Sequence, residues 1–404
     1  MIRLHPVRFK RGVGQRAAGL APALALLVIA GVMIPGAAGA QSLLSSGGIG
    51  VPADPLDART RSLGGVGVGL AGWHLAPTDP AAAAGIFLPS ASVTFQPGTV
   101  TPDGGVRTGQ TRFPLLAASY PLRGNVFSIQ LGSTYDQRWE LRTEGKVMVG
   151  EVEVNAIDLY RSTGNIGRVQ VGWARRLSET VAVGATAGSQ VGSVQRTFTR
   201  GLDPAAVGLG IEDFVTQARW RASGLALGGG VAWDPSELLR VAASFSWTNE
   251  LRLAPAGGDA VETRSYSMPL EVRGGAMGTL APGLSIAASV GWADWSKVAG
   301  EVGEDEVRSA TWTYGAGLEW ARAEFIGRTL PIRLGIRSQQ LPFHFRGAPA
   351  SETAFSAGVG LNLVDVQELP AARVELGVEQ GDRTAGDFSE RFLRVSFSVR
   401  LAGG

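Results

Sequence analysis

The chain has 404 residues, 45% of them hydrophobic, no cysteine and a formal charge of +2. That charge is uneven: residues 1–40 hold five Lys/Arg and no Asp/Glu, which leaves the remainder at −3. The basic balance that a nucleic-acid binder needs is therefore missing, and without cysteine no disulfide framework can hold the fold.

The first segment is built like an export leader. Arg3, Arg8, Lys10, Arg11 and Arg16 precede an apolar run from Leu20 to Ile34, and Ala38-Gly39-Ala40 follows. A basic start, an apolar core and a small-residue cleavage site predict a signal peptide over 1–40. The apolar run is short for a transmembrane helix, and no later run is longer. An exported β protein, either soluble in the periplasm or a barrel in the outer membrane, is then the expectation.

Residues 41–89 are rich in Gly, Ala and Pro and show no strand alternation. The run holding Gly64, Gly65, Gly67 and Gly69 has neither the preceding strand nor the lysine of a phosphate loop. A segment of this kind needs a neighbour to shelter it, and the alternative is a disordered tail.

From residue 90 the pattern changes to period two. Leu239, Val241, Ala243, Phe245 and Trp247 alternate with Arg240, Ala242, Ser244 and Thr248; Leu393, Val395, Phe397, Val399 and Leu401 alternate with Arg394, Ser396, Ser398 and Arg400. Each such run is a strand with one apolar and one polar face. Short connections near 121–124, 177–179, 234–237 and 281–283 alternate with long ones near 141–164, 196–212, 249–261 and 296–307. Such sorting is that of short periplasmic turns and long outer loops.

Keeping every short turn on one side requires 141–164 to be a single outer loop, although 146–154 alternates weakly. Fourteen strands result, starting near Ser90, Thr111, Asn125, Gly167, Thr180, Asp213, Leu238, Glu262, Gly283, Arg308, Thr329, Thr353, Ala371 and Glu390. The predicted fold is all-β: a closed antiparallel transmembrane barrel over 90–404, with 41–89 filling a lumen too wide for wall side chains.

Several residues carry the chemistry of the interior. Arg333, Arg337, Arg373, Glu375 and Glu379 fall on the polar face of late strands, where they either pair across strands or anchor an anionic substrate group. Leu202, Val207, Leu209 and Ile211 make the loop 196–212 unusually apolar for an outer loop, which reads as packing on a neighbour or as a groove for a greasy ligand. Trp247, Trp292, Trp295, Trp312 and Trp320 read as interfacial girdle residues. His74 and His344 lack metal-ligand spacing, and no Gly-x-Ser-x-Gly elbow is present. No catalytic residue, metal or cofactor is expected.

The run from Met268 to Gly275, the run from Leu284 to Ser296 with its Trp292-Ala293-Asp294-Trp295-Ser296 ending, and Leu330-Pro331-Ile332 resemble the FadL family. Those are outer-membrane transporters of long-chain fatty acids and other hydrophobic compounds. The glycine run and Asp79-Pro80-Ala81 resemble that family's hatch, whose usual motif is Asn-Pro-Ala. The resemblance implies passive uptake of hydrophobic, fatty-acid-like compounds through a plugged barrel, with exit through the wall. Its implied partners are the outer-membrane bilayer, a hydrophobic small molecule and the barrel assembly machinery. A secretion-associated or structural barrel and a general diffusion porin are the alternatives.

Overall fold

The computed structural model describes residues 42–72, 74–149, 152–202, 213–259, 262–302, 306–325, 328–366 and 369–403. The expected leader lies outside them. The amino-terminal segment carries a 3-10 turn at Leu43–Ser46, β1 (Val51–Pro52), α1 (Ala58–Ser62) and a 3-10 helix at Pro80–Gly85.

The strands that follow are β2 (Ser90–Pro102), β3 (Thr108–Leu122), β4 (Asn125–Asp136), β5 (Trp139–Val149), β6 (Val152–Arg176), β7 (Val181–Leu202), β8 (Phe214–Ser223), β9 (Leu225–Ser236), β10 (Leu239–Thr248), β11 (Leu251–Gly258), β12 (Arg264–Tyr266), β13 (Leu270–Ala281) and β14 (Leu284–Asp294). After α2 (Ser296–Val302) come β15 (Ala310–Trp320), the small pair β16 (Glu324–Phe325) and β17 (Arg328–Thr329), β18 (Ile332–Phe345), β19 (Ala348–Val366), β20 (Leu369–Ala385) and β21 (Phe388–Ala402).

Among the described residues fourteen antiparallel strands form the wall, in the order β2, β3, β4, β6, β7, β9, β10, β13, β14, β15, β18, β19, β20, β21. The ring closes where β21 returns to β2, in register from Ser90 opposite Ala402 to Pro102 opposite Glu390. Closure removes the unpaired edge that hydrocarbon could not satisfy.

The two faces of the strands separate as the alternation predicts. Leu334, Phe355, Leu376, Trp320 and Leu401 stand exposed on the outside, while Arg333, Arg337, Ser356, Glu375 and Glu379 are buried inside. Such an inside-out distribution belongs to a membrane barrel rather than to a soluble sandwich.

The long connections differ from expectation. β5 pairs with the first half of β6, the second half of β7 pairs with β8, and β8 pairs in turn with β11. What reads as outer loop is largely an outer extension of the sheet. The wall strands bend into it at Gly164, Gly192 and Gly224, all at positive φ. A side chain at Gly164 would sit 2.0 Å from the Ser193 carbonyl oxygen, so only glycine allows the bend. The strand count survives because β5 turns back at its tip and crosses nothing.

Trp295 departs from its expected place. β14 stops at Asp294 and α2 begins, so the alternation ends one residue before this indole, which is 3% exposed. Trp247, Trp312 and Trp320 do stand on the outer surface.

Candidate functional site

The amino-terminal segment runs the length of the lumen. Its first part lies at the outer end, where Val51 and Pro52 pair with Asp136 and Tyr135. Its last part lies at the opposite end, where Pro80 packs so closely on Gly184 that a Cβ there would approach within 2.3 Å. α1 starts at Asp57, whose carboxylate accepts the Thr60 amide at 2.8 Å. The helix is then fastened to the wall: the Ala58 amide donates to Ser398 Oγ, and Ser356 Oγ donates to the Ser62 carbonyl.

The glycine run allows backbone to lie on backbone. Gly64, Gly65 and Gly69 take positive φ, whereas Gly67 does not. At Gly64 an added Cβ would lie 2.2 Å from the Ile336 carbonyl oxygen and 2.5 Å from that of Ala316. Asp79 is fully buried and caps the Pro80–Gly85 helix, accepting the Ala82 amide at 3.2 Å and the Gly69 amide at 3.0 Å. Two amides converge on two carboxylate oxygens, which an Asn could not provide. Ala81, next in the motif, is buried against Val68 and Ala182.

The five lumen charges fall into two clusters, and the segment reaches both. Arg59 meets Glu319 with Nε and Nη2, both at 3.0 Å. Glu319 also holds Arg333, which reaches Glu375, which in turn holds Arg373. A second cluster links Arg337, Arg383 and Arg394 through Glu352 and Glu379, and Arg61 of α1 lies 3.6 Å from Glu379. Asp54 lies between Arg273 and Arg337, and Glu390 accepts from Ser42 and Arg383. Paired charges of this kind are tolerated in a buried space because each is met by an opposite one.

Above these clusters is an apolar roof that strand patterning does not announce. Ile49, Tyr135, Ile166, Trp220, Leu251, Leu253, Met268, Trp295, Val298 and Phe343 are buried together. Trp295 stands edge-on to both Tyr135 and Phe343, with ring centroids 6.4 and 5.5 Å away. Below it is a cavity of about 120 Å³, bordered by Tyr135 and Trp295 on its roof side and by Gln130, Arg168, Glu271 and Arg273 on the lumen side. Of the expected groove, Leu202 is half-buried opposite Ala156 at the end of β7; Val207, Leu209 and Ile211 lie outside the described residues.

Next to the cavity the wall is incomplete. β3 and β4 pair from Leu122 opposite Asn125 only as far as Leu115 opposite Gly132. Beyond that point β3 continues from Pro114, which has no N–H to offer, while the vacated edge of β4 is taken by β1. Across the break, Ser133 Oγ donates to the Phe113 carbonyl at 3.4 Å, and Asp136 holds both Arg112 and Arg138. Gly132, Thr134 and Tyr135 line the cavity from the β4 side of the break.

No family profile and no curated protein sequence matches this chain. Its fold is nevertheless that of known outer-membrane channels. The chain is similar in structure to the monoaromatic hydrocarbon channel CymD, at 13% identity over 86% of this chain and 97% of that one, with a TM-score of 0.58. It is similar to a Pseudomonas aeruginosa FadL homologue at 14% identity, 84% and 98% coverage, TM-score 0.57. The Pseudomonas putida toluene transporter TodX gives 12%, 87% and 99%, TM-score 0.56.

Proposed function

We propose that this protein is an outer-membrane channel for the passive uptake of hydrophobic compounds, with residues 42–86 as its plug. The observation that carries the reading is the break between β3 and β4 beside a cavity roofed by aromatic residues. An apolar solute loses water at the roof, enters the cavity and leaves sideways through the break, where β4 has no β3 partner. Leaving through the wall delivers it into hydrocarbon, so it never has to cross the charge clusters that hold the plug below.

The cavity size bears on the substrate. At about 120 Å³ it is close to the roughly 150 Å³ of a dry engineered cavity that takes up benzene. Compact ring compounds fit whole, whereas a long-chain fatty acid has to thread through end-on. The structural neighbours named for monoaromatic hydrocarbons and toluene support this reading. No chemistry on the solute is part of it. In the same reading, residues 1–40 export the chain, and the last strand presents it to the barrel assembly machinery.

Reconstitution in liposomes tests the proposal. Toluene entry should exceed that of protein-free vesicles, while sugars of similar size should enter no faster. Sugar permeation would make the protein a porin. If toluene enters no faster than in protein-free vesicles and sugars stay out, the barrel is structural or secretion-associated.

A further inference from the structure

We infer that the outer sheet carries a binding site for the phosphate groups of an outer-leaflet glycolipid, formed by Arg219, Arg221 and Arg252. The site is separate from the solute path, although it presumes the outer-membrane setting proposed above.

The argument begins with the faces of the strands. Along β8 and β9 the odd positions point away from the barrel axis: Trp220 and Ala222 are buried in the roof, while Leu225, Leu227, Val231 and Trp233 stand exposed on the outside. Arg219 and Arg221 continue that outward row past the Gly224 bend, and both are exposed. Arg252 lies opposite Ser223 on β11 and faces the same way, because its neighbours Leu251 and Leu253 are buried in the roof. Arg221 is four residues above Leu225, roughly 13 Å along a strand and about 9 Å along the membrane normal at the usual tilt. That height matches lipid headgroups just above the hydrocarbon.

The chemistry at that height favours an anion. Arg219 and Arg221 line an open recess of about 410 Å³ together with Asn165, Gly192, Ser193 and Ala256. Among the described residues neither arginine makes an ion pair, nor does Arg252, whereas nearby Arg200 is held by Asp158 at 2.7 Å. The acidic residues flanking these strands are Asp213, Glu250, Glu262, whose carbonyl accepts from Trp220 Nε1, and Asp259, whose carboxylate accepts the Gln217 amide. Two guanidinium groups in the recess, with Ser193 and Asn165 beside them and Arg252 on the neighbouring strand below, match a phosphate, which takes paired N–H donors. A lipid is preferred to a free ion because the row of arginines continues directly into the lipid-facing row. One molecule can then place its phosphate in the recess and its acyl chains on Leu225 and Leu227.

The test uses the full refolded protein and phosphatidylcholine vesicles containing either bisphosphorylated lipid A or the same lipid A with its phosphates removed. Wild type should retain labelled bisphosphorylated lipid A through purification and lose the dephosphorylated form. Arg219→Gln/Arg221→Gln/Arg252→Gln should bind about tenfold more weakly, as loss of charge-assisted contacts requires. A charge-matched control, Arg107→Gln/Arg142→Gln/Arg391→Gln, should bind as wild type does. Heat-modifiable gel mobility verifies that each variant is folded. The inference is overturned if the triple variant binds normally, if both lipids bind equally, or if the control loses as much. Displacement by millimolar inorganic phosphate would also overturn it, since the site would then take the ion rather than the lipid.

Discussion

Arg59 of the amino-terminal helix grips Glu319 of the wall with two hydrogen bonds, each 3.0 Å long, inside the lumen. The pair joins the amino-terminal helix to a strand that faces lipid on its other side. Removing one partner of a buried pair leaves an uncompensated charge and costs about 3–5 kcal/mol. Glu319→Gln should therefore leave a heat-modifiable barrel but loosen the segment, which planar-bilayer recordings would show as frequent openings. Arg59→Met/Glu319→Leu should restore only part of the quiet baseline: Arg59 is no longer stranded, but Arg333 then keeps Glu375 alone.

Deleting residues 42–85 carries the same idea further. The closed ring from β2 to β21 does not include them, so the barrel should still fold. Its lumen should then conduct ions severalfold better than the full chain. Equal conductance in the two proteins would mean that the segment is not the plug.

Asp79 makes a sharper local prediction. It accepts the Gly69 and Ala82 amides at once. Asp79→Asn would turn an NH2 group toward one of those amides and cost about 1–3 kcal/mol for the unsatisfied buried donor. Proteolysis of the segment in the folded barrel should become faster, with the wall unaffected.

Lipid exposure can be tested by depth. Ile336 is exposed and lies opposite Ala316, midway between Trp312 and Trp320 on β15, whereas Leu401 lies at the end of the last strand. An arginine costs roughly 2–4 kcal/mol at midplane and about 0–1 near the interface. Ile336→Arg should therefore lower the folded yield in bilayers much more than Leu401→Arg.

The wall was legible because its signal is local. Each strand repeats its alternation over eight or more consecutive residues, and Leu239 to Thr248 shows both faces at a glance. The lumen charges were legible as inward-facing, but not their partners, since Arg59 and Glu319 are 260 positions apart. The apolar roof was illegible for the same reason: Ile49, Tyr135, Trp220, Trp295 and Phe343 come from five distant stretches, and none stands in an apolar run. Trp295 looked like one more girdle residue because nothing in the alternation marks where β14 ends. The break between β3 and β4 had only Pro114 as its signal, and a proline in a strand also suits an intact edge.

The break is where the transport account is most exposed. Pro114 and Ser133 are the next positions in register after Leu115 and Gly132, and the chain has no cysteine of its own. A Pro114→Cys/Ser133→Cys protein can therefore be closed by oxidation and reopened by reduction in the same liposomes. Toluene uptake should fall severalfold on oxidation and recover with dithiothreitol, while each single variant transports throughout. Undiminished uptake through a fully oxidised double variant would contradict exit through the wall.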